Sequence, residues 1–258
     1  MPDVSERPAD EDDDTEPLVS VVVPYSPAHT PEDIFEDAIQ TARSQSVPTE
    51  LVVVEDTAQR GPSWARNRGL ERAETRYVAL LDADDYWHEG KLQRQLAAMR
   101  ASGAGLCVEA PDVSESAFIR ELYLGNIASI TSSVLVDTEQ VHVRFEEGLE
   151  RREDHLFVLE AAAQGGACFV EDLFTVGGHD ESLSQGTPTT YRLRQDYHFS
   201  RHVRQRVPEV SEALRFYEHA RCDHAFANTP GDLYRLALLW PSLRSVVGLA
   251  LSLLCQRV

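Results

Sequence analysis

The chain is poor in cysteine and has no long uninterrupted apolar run. Its four cysteines stand far apart, with no CxxC pair, at Cys107, Cys168, Cys222 and Cys255. This spacing predicts buried thiols in a reducing compartment rather than a zinc site or a disulfide framework. No stretch reaches the length of about 18 apolar residues that suggests a spanning helix. The acidic N-terminus does not resemble a secretory signal, so we expect a cytoplasmic protein.

Basic residues are also scarce: 24 stand against 43 acidic residues, for a net charge of -19. Residues 1–17 contain eight acids and one Arg without apolar periodicity, and we expect a disordered acidic tail there. The remaining 241 residues still carry -12. Such a surface disfavours nonspecific binding to nucleic acid or anionic lipid. It suits a halophilic source, and an ordinary acidic cytosolic protein is the alternative.

Three apolar runs alternate with helical patterns in the first half. "LVSVVVP", "ELVVVED" and "YVALLDADD" each have the composition of a buried strand. The first helix is expected to have Thr30 as N-cap and Pro31 as its first residue. "SWARNRGLERA" forms the second helix, and Lys91 to Ser102 the third. This alternation predicts an α/β fold with a parallel sheet and right-handed crossovers.

Each strand is followed directly by a polar cluster. Ligands in such sheets bind outside the carboxyl ends of the strands, so "PYSPAH", "EDTAQR" and "DADD" should share one edge. Asp82 and Asp84 are two residues apart in extended chain and should point together while Ala83 turns away. Two carboxylates with open coordination positions suit Mg²⁺ or Mn²⁺. The alternative is that these acids cap the next helix or face water.

At these residues the chain resembles a known family. "VSVVVP", "VVVED", "ARNRG" and "LLDADDYW" are similar, in order and spacing, to the donor-site motifs of the family 2 glycosyltransferases. The resemblance covers roughly Val19 to Leu183 and is strongest between Val52 and Leu96. It implies the GT-A fold, a Rossmann-like and mostly parallel central sheet flanked by helices.

The resemblance implies a donor-binding set at the predicted edge of the sheet. Asp56 would hydrogen-bond the base or ribose, and the helix positions Arg66 and Asn67 would close over the base. An ion pair with Asp56 or Glu55 is the alternative role for Arg66. The full donor-binding set is Pro24, Tyr25, Glu55, Asp56, Arg66, Asn67, Asp82, Ala83 and Asp84.

The implied cofactor is Mn²⁺ or Mg²⁺. Asp84 would be the direct metal ligand, with Asp82 nearer the ribose. His179, before "SLS", resembles a late histidine that completes the metal site or touches the diphosphate; an ordinary surface histidine is the alternative. We expect Asp56, Asp82 and Asp84 to meet around one ion.

The second half should supply the acceptor side. Residues 129–137 are expected to form a strand, and a helix should begin at Glu153 and Asp154 with Leu156, Leu159 and Ala163 as its buried stripe. First-turn acids are favoured by the helix dipole, so capping is one interpretation of this pair. The resemblance implies a catalytic pair instead, with Asp154 as the general base of an inverting, one-step displacement. Asp154 should then face the metal carboxylates.

Two departures from the family pattern leave the nucleotide open. The usual Thr-Tyr-Asn after the first strand appears as Tyr25-Ser26-Pro27. The loop between Asp56 and the "ARN" helix is short and lacks the common Gly-Ser turn.

The expected domains are a GT-A catalytic domain over 18–185, divided into a nucleotide-binding half (18–105) and an acceptor half (106–185), and a helical C-terminal region over 186–258. Residues 232–256 are the most apolar segment. They could pack on the catalytic domain or lie peripherally at the inner face of a membrane. Without spanning helices or a QxxRW motif, a processive synthase is not expected.

The predicted function is transfer of a single sugar from a nucleotide-diphosphate sugar to a hydroxyl of a glycan or lipid-linked acceptor. A nucleotidyltransferase is one alternative, although "PYSPAHTPED" lacks the basic residues of a phosphate loop. A haloacid dehalogenase-type phosphatase would have its DxD after the first strand rather than the third. A catalytically degenerate nucleotide-sugar-binding protein is the last alternative.

Overall fold

The computed structural model describes residues 18–110, 114–124, 127, 131–171, 174–176 and 189–213. The acidic tail over 1–17 and the apolar segment over 232–256 lie outside these residues. The strands are β1 (Val19–Tyr25), β2 (Thr49–Glu55), β3 (Tyr77–Leu80), β4 (Asp85–Trp87), β5 (Leu106–Glu109), β6 (Leu135–Asp137), β7 (Ala167–Val170) and β8 (Phe174–Val176). The helices are α1 (Glu32–Arg43), α2 (Pro62–Arg72), α3 (Lys91–Ser102), α4 (Glu115–Leu124), α5 (Glu153–Gly165), α6 (Thr189–Arg206) and α7 (Pro208–Ala213).

Six strands form a mostly parallel central sheet in the order β2-β1-β3-β6-β5-β7. β1 runs parallel to β2 and β3, and β5 runs parallel to β7. β6 is antiparallel to both of its neighbours, β3 and β5. The predicted fold class is confirmed, and the single reversed strand joins the two parallel sets into one sheet.

The sheet has a hydrophobic core on each face. On one face α1 and α3 cover a cluster that contains Val21, Val23, Leu81, Leu92 and Leu96. On the other face α4, α5 and α6 pack over a second cluster, in which the largest side chains are Phe118, Tyr123, Phe145, Phe157 and Phe199. Helices on both faces leave the ends of the strands as the open edge of the sheet.

The predicted start of α1 and the predicted strand over residues 129–137 are wrong. Helix α1 begins at Glu32, because Pro31 is extended (ψ 148°) and takes the cap position expected for Thr30. Residues 129–137 were expected to form one strand, yet Thr131–Ser133 form a 3₁₀ turn and only Leu135–Asp137 form a strand. The side chains of Trp87 and Gln95 donate to the backbone carbonyls of Ser132 and Ser133, which are therefore not available to the sheet ladder.

Helix α5 begins at Glu153 as predicted, but its buried surface differs from the predicted stripe. Leu156 and Leu159 are buried, whereas Ala163 is exposed. The helix packs against α4, α6 and β5, so it also buries Phe157 and Val158 and is apolar around more of its circumference than a single stripe. Of the helices in the described ranges, none is long and apolar enough to cross a membrane.

Gly69 sets the distance between α2 and the sheet. A Cβ atom at this position would lie 2.1 Å from Cγ1 of Val22 in the middle of β1. Both residues are buried, so neither can move into solvent. Close contact between α2 and β1 therefore requires glycine at position 69.

We expect Gly69→Ala to destabilise the protein by about 2 kcal/mol and to lower the melting temperature by roughly 4–8 °C. Alanine is the better helix former by about 1 kcal/mol, so local propensity alone predicts the opposite sign. Thermal unfolding followed by circular dichroism measures the change. The double variant Gly69→Ala/Val22→Ala should lose less than the two single changes together. A Gly69→Ala protein as stable as the parent would contradict this packing.

Candidate active site

The carboxyl ends of the three parallel strands β1, β2 and β3 meet at one edge of the sheet. Tyr25 pairs with Glu55 in the ladder, and the backbone N–H of Asp56 donates to the carbonyl of Tyr25 at 2.7 Å. The N–H of Leu81, just past β3, donates to the carbonyl of Val22 at 3.0 Å. The three polar clusters that follow these strands therefore start from the same edge, as the sequence predicted.

Side chains alternate along the segment that follows β3. Asp82 and Asp84 are partly exposed, whereas Ala83 is 4% exposed and packs into the core with Leu81 and Trp87. The predicted extended chain is not formed here, because the N–H of Asp85 donates to the carbonyl of Asp82 at 3.1 Å and closes a turn over Ala83 and Asp84. Ala83 could contact a bound nucleotide sugar only through its backbone, because its methyl group faces the protein interior.

Ser132 holds the acidic segment in place. Its hydroxyl accepts a hydrogen bond from the N–H of Asp82 at 3.0 Å and donates one to the carboxylate of Asp85. Its carbonyl accepts the indole N–H of Trp87 at 2.8 Å. Sequence reasoning did not select Ser132, because nothing in "SITSSVLVD" shows which serine reaches the acids.

The acidic segment brings three carboxylates close together, and only part of their charge is balanced by Arg66. Asp85 is 3% exposed, and its burial, together with the charges of Asp82 and Asp84, raises its pKa to about 7 although Ser132 opposes the shift. A cation beside Asp82 and Asp84 would relieve this repulsion. Mg²⁺ is usually held by one or two carboxylates together with substrate phosphates and water. Asp82 and Asp84 therefore fit a divalent ion as two partly exposed oxygen ligands.

The three-acid cluster expected around the ion is not formed. Asp56 turns to its own loop, where its two carboxylate oxygens accept the N–H groups of Arg60 at 2.9 Å and Gly61 at 2.7 Å. Among the described residues, no three acids, histidines or cysteines are grouped so that they could hold a metal ion. The prediction that Asp56 meets Asp82 and Asp84 is therefore wrong. The short loop of this chain needs the Asp56 carboxylate to close it. His179, the third predicted ligand, lies outside the described residues.

Arg66 on α2 joins the acidic segment to the start of α5. Its Nη2 donates to Oδ1 of Asp82 at 2.8 Å, and its Nη1 donates to Oε1 of Glu153 at 3.1 Å. Only 5% of the residue is exposed. Burial alone would lower the pKa of the guanidinium, but Asp82 and Glu153 raise it overall. Arg66 is thus a permanent buried cation between two carboxylates, and the alternative pairing with Asp56 or Glu55 is wrong.

Asn67 ties α2 to the segment before α5. Its Nδ2 donates to the carbonyl of Phe145 at 3.0 Å and to Glu147 at 3.1 Å, and its Oδ1 accepts the N–H of Phe145 at 2.8 Å. The guanidinium of Arg66 lies 5.2 Å from the Phe145 ring. The resemblance implied that Arg66 and Asn67 close over a base. In the structure, their side chains join α2 to the segment before α5 and to the first turn of α5.

The predicted catalytic pair stands at the first turn of α5. Oδ1 of Asp154 accepts both the N–H and the ring Nδ1–H of His155, each at 2.7 Å, and His155 Nε2 donates to the Ile127 carbonyl at 2.8 Å. Burial would raise the pKa of Asp154, but the charge of His155 and its hydrogen bonds lower it overall. For Glu153, burial and the charge of Asp154 raise the pKa, although Arg66 opposes the shift. Asp154 is therefore held ionised, next in sequence to the glutamate that Arg66 joins to Asp82.

The residues predicted to line the nucleotide cleft differ in environment. Pro24 and Tyr25 are half-buried at the end of β1, and Glu55 is exposed at the end of β2. The Tyr25 ring stacks on Phe35 of α1, with 4.0 Å between ring centroids. Partial burial, followed by the charges of Glu32 and Glu55, raises the pKa of the Tyr25 hydroxyl. These residues therefore lie at the carboxyl ends of β1 and β2, on one side of the candidate site.

Comparison with known sequences finds that part of this chain is similar to glycosyltransferases. The model of the family described as glycosyl transferase family 2 matches residues 26–148. The chain is 30% identical to the succinoglycan biosynthesis protein ExoO of Rhizobium meliloti, over 58% of this chain and 57% of that protein. It is 34% identical to the putative teichuronic acid biosynthesis glycosyltransferase TuaG of Bacillus subtilis, over 32% of this chain and 42% of that protein. The chain thus spans about half the length of these curated relatives.

Solved structures share the fold. The mannosyltransferase PcManGT of Pyrobaculum calidifontis, in complex with GDP-Man and Mn²⁺, matches with a TM-score of 0.58 at 18% identity, over 95% of this chain and 82% of that one. S. aureus TarS in complex with UDP-GlcNAc matches with a TM-score of 0.58 at 16% identity, over 91% and 79%. The fold is that of the GT-A glycosyltransferases. In sequence the chain is similar to glycosyltransferase family 2, whose model matches residues 26–148.

Proposed function

We propose that this chain transfers a single sugar, with inversion, from a nucleotide-diphosphate sugar to a hydroxyl of a glycan or lipid-linked acceptor. The observation that carries the proposal is the Arg66 bridge, which places the acid pair of α5 beside the DxD segment. The donor diphosphate and the base that activates the acceptor must lie on opposite sides of one anomeric carbon. Arg66 separates Asp82 from the start of α5 by the width of one guanidinium group.

Asp82 and Asp84 are the proposed ligands of a divalent ion, Mn²⁺ or Mg²⁺. Bound there, the ion would neutralise the charge that develops on the leaving diphosphate. Ser132 holds both ends of the turn from Asp82 to Asp85, in which both ligand carboxylates are partly exposed. The neighbour PcManGT was solved with GDP-Man and Mn²⁺, which supports a metal-bound donor at this edge.

Asp154 is the proposed general base. His155 keeps its carboxylate ionised and holds Oδ1, and among the described residues Oδ2 makes no hydrogen bond. A base with one fixed and one available oxygen can accept the proton of an acceptor hydroxyl that lies within about 3 Å. Glu153 is a positioning residue in this proposal, because its carboxylate is bound to Arg66.

The catalytic domain is proposed to span residues 18–185, with the acceptor entering over the half that follows residue 105. ExoO and TuaG are named for the biosynthesis of succinoglycan and teichuronic acid, which supports a glycan or a glycan precursor as acceptor. Peripheral contact of residues 232–256 with a membrane would bring a lipid-linked acceptor near the site. A nucleotidyltransferase is disfavoured by the family, and a degenerate binding protein would lack turnover.

Donor binding should depend on the metal and on Asp84. A panel of UDP-, GDP- and dTDP-sugars is tested for protection against thermal unfolding, with and without Mn²⁺. We expect at least one donor to raise the melting temperature by several degrees, and this rise to need Mn²⁺, because a ligand at about 100 times its Kd stabilises by about 2.7 kcal/mol.

Asp84→Asn should abolish the Mn²⁺-dependent part of this rise, because it removes a charged ligand while keeping the side-chain volume. Glu115→Gln, an exposed acid at the start of α4, is the control and should behave like the parent. If no donor protects the parent protein under either condition, the assignment of the donor site fails.

Asp154→Asn should separate catalysis from binding. We expect the slow hydrolysis of the donor, in which water replaces the acceptor hydroxyl, to fall by about 10² to 10⁴-fold, because the amide cannot accept the proton. Release of the nucleoside diphosphate measures this rate. Protection by donor and Mn²⁺ should be unchanged. Hydrolysis at the parental rate would remove Asp154 from the mechanism and leave the donor site standing.

A further inference from the structure

Two cysteines that are far apart in sequence face each other across neighbouring strands. Cys107 of β5 pairs with Cys168 of β7 in a parallel ladder. Residues paired in this way point to the same face of a sheet, and both side chains belong to the core beneath α3. Both are free thiols. Strands lie about 4.8 Å apart, and disulfides join Cα atoms separated by about 4.4–6.8 Å.

We propose that Cys107 and Cys168 form a reactive thiol pair that closes to an intrachain disulfide when it meets a small disulfide oxidant. The sequence predicted buried thiols and no disulfide framework. The spacing of the cysteines does not show the register of β5 against β7, so this pairing could not be predicted. This inference is independent of the proposed sugar transfer.

The two thiols have different environments. β7 is the last strand of the sheet and Cys168 is partly exposed, whereas Cys107 on the inner strand is fully buried. A hydrogen bond from Cys107 lowers the pKa of the Cys168 thiol to about 7, with a further contribution from Ser102 at the end of α3. Accessible thiols with a high thiolate fraction at neutral pH attack disulfides fastest. Cys168 is therefore the attacking residue.

Cys107 is the resolving residue, and a buried lysine stands near it. Lys91 is 0% exposed, donates to Oε1 of Gln95 at 2.7 Å and lies 4.4 Å from the Trp87 ring. Its burial lowers its pKa to about 7, although the charge of Glu109 opposes the shift. In its charged form Lys91 lowers the pKa of the Cys107 thiol and so favours its thiolate.

The proposed reaction has two balanced steps. The Cys168 thiolate attacks the oxidant R–S–S–R, forming a mixed disulfide and releasing one R–S⁻. Cys107 loses its proton, which the released R–S⁻ takes up through solvent, and its sulfur attacks the Cys168 sulfur, which forms the Cys107–Cys168 bond and expels a second R–S⁻. The protein loses two electrons and two protons, and the oxidant is reduced to two thiols.

The test uses the full chain with Cys222→Ser and Cys255→Ser, so that only the pair remains. An aromatic disulfide whose thiolate is coloured is added to the native protein below stoichiometry. We expect two coloured thiolates for each reagent molecule consumed, no retained adduct, and one cross-linked peptide pair on mass mapping. This part of the experiment requires no substitution in the hydrophobic core, because Cys107 and Cys168 are both kept.

Single variants in the same background assign the roles. Cys107→Ser should release one thiolate for each reagent molecule and keep the adduct on Cys168, and Cys107→Ala should do the same. Cys168→Ser should react at least 10-fold more slowly. Lys91→Met should slow the second release while leaving the first unchanged. A stable mixed disulfide on the parent pair, or no reaction of the native protein, would overturn the proposal.

Discussion

The site depends on one buried cation. Burying a guanidinium without partners is costly, and the cost is offset only when the charge is paired and hydrogen-bonded. Arg66 meets this condition with Asp82 from the end of β3 and Glu153 from the start of α5. These two acids belong to the parts of the chain that we assign to donor and acceptor. Because the two terminal nitrogens of one rigid guanidinium each bind one of these acids, the pairing fixes the distance between the two parts.

The rest of α2 keeps Arg66 in position. Gly69 lets the helix approach β1, and Asn67 holds the backbone of Phe145, whose ring lies beside the guanidinium. On the opposite side, Ser132 fixes the backbone of Asp82 and the carboxylate of Asp85. Within the motif "ARNRG", Arg66, Asn67 and Gly69 thus contact different parts of the chain. These contacts are the physical reason for each of the three residue types.

Local features of the fold could be predicted from the sequence, and long-range pairings could not. The β-branched runs identified the strands, and the bounds of α3 match because Gly90 and Gly103 punctuate it. The alternating exposure of Asp82, Ala83 and Asp84 was predicted, but a turn produces it rather than the extended chain that was expected. However, Glu153, one of the two acids that Arg66 binds, lies 87 residues away in sequence. The loop contacts of Asp56 and the pairing of Cys107 with Cys168 likewise follow from loop closure and strand register, which periodicity does not encode.

The coupling between Arg66 and Glu153 tests the central claim most directly. A double-mutant cycle with Arg66→Met and Glu153→Gln, measured as free energies of unfolding in denaturant, isolates the interaction between the two side chains. The account predicts that each single change destabilises the protein and that the double variant loses less than the sum, with a coupling of about 1–3 kcal/mol. Additive losses within about 0.5 kcal/mol would show that the two residues do not interact, and would contradict the account.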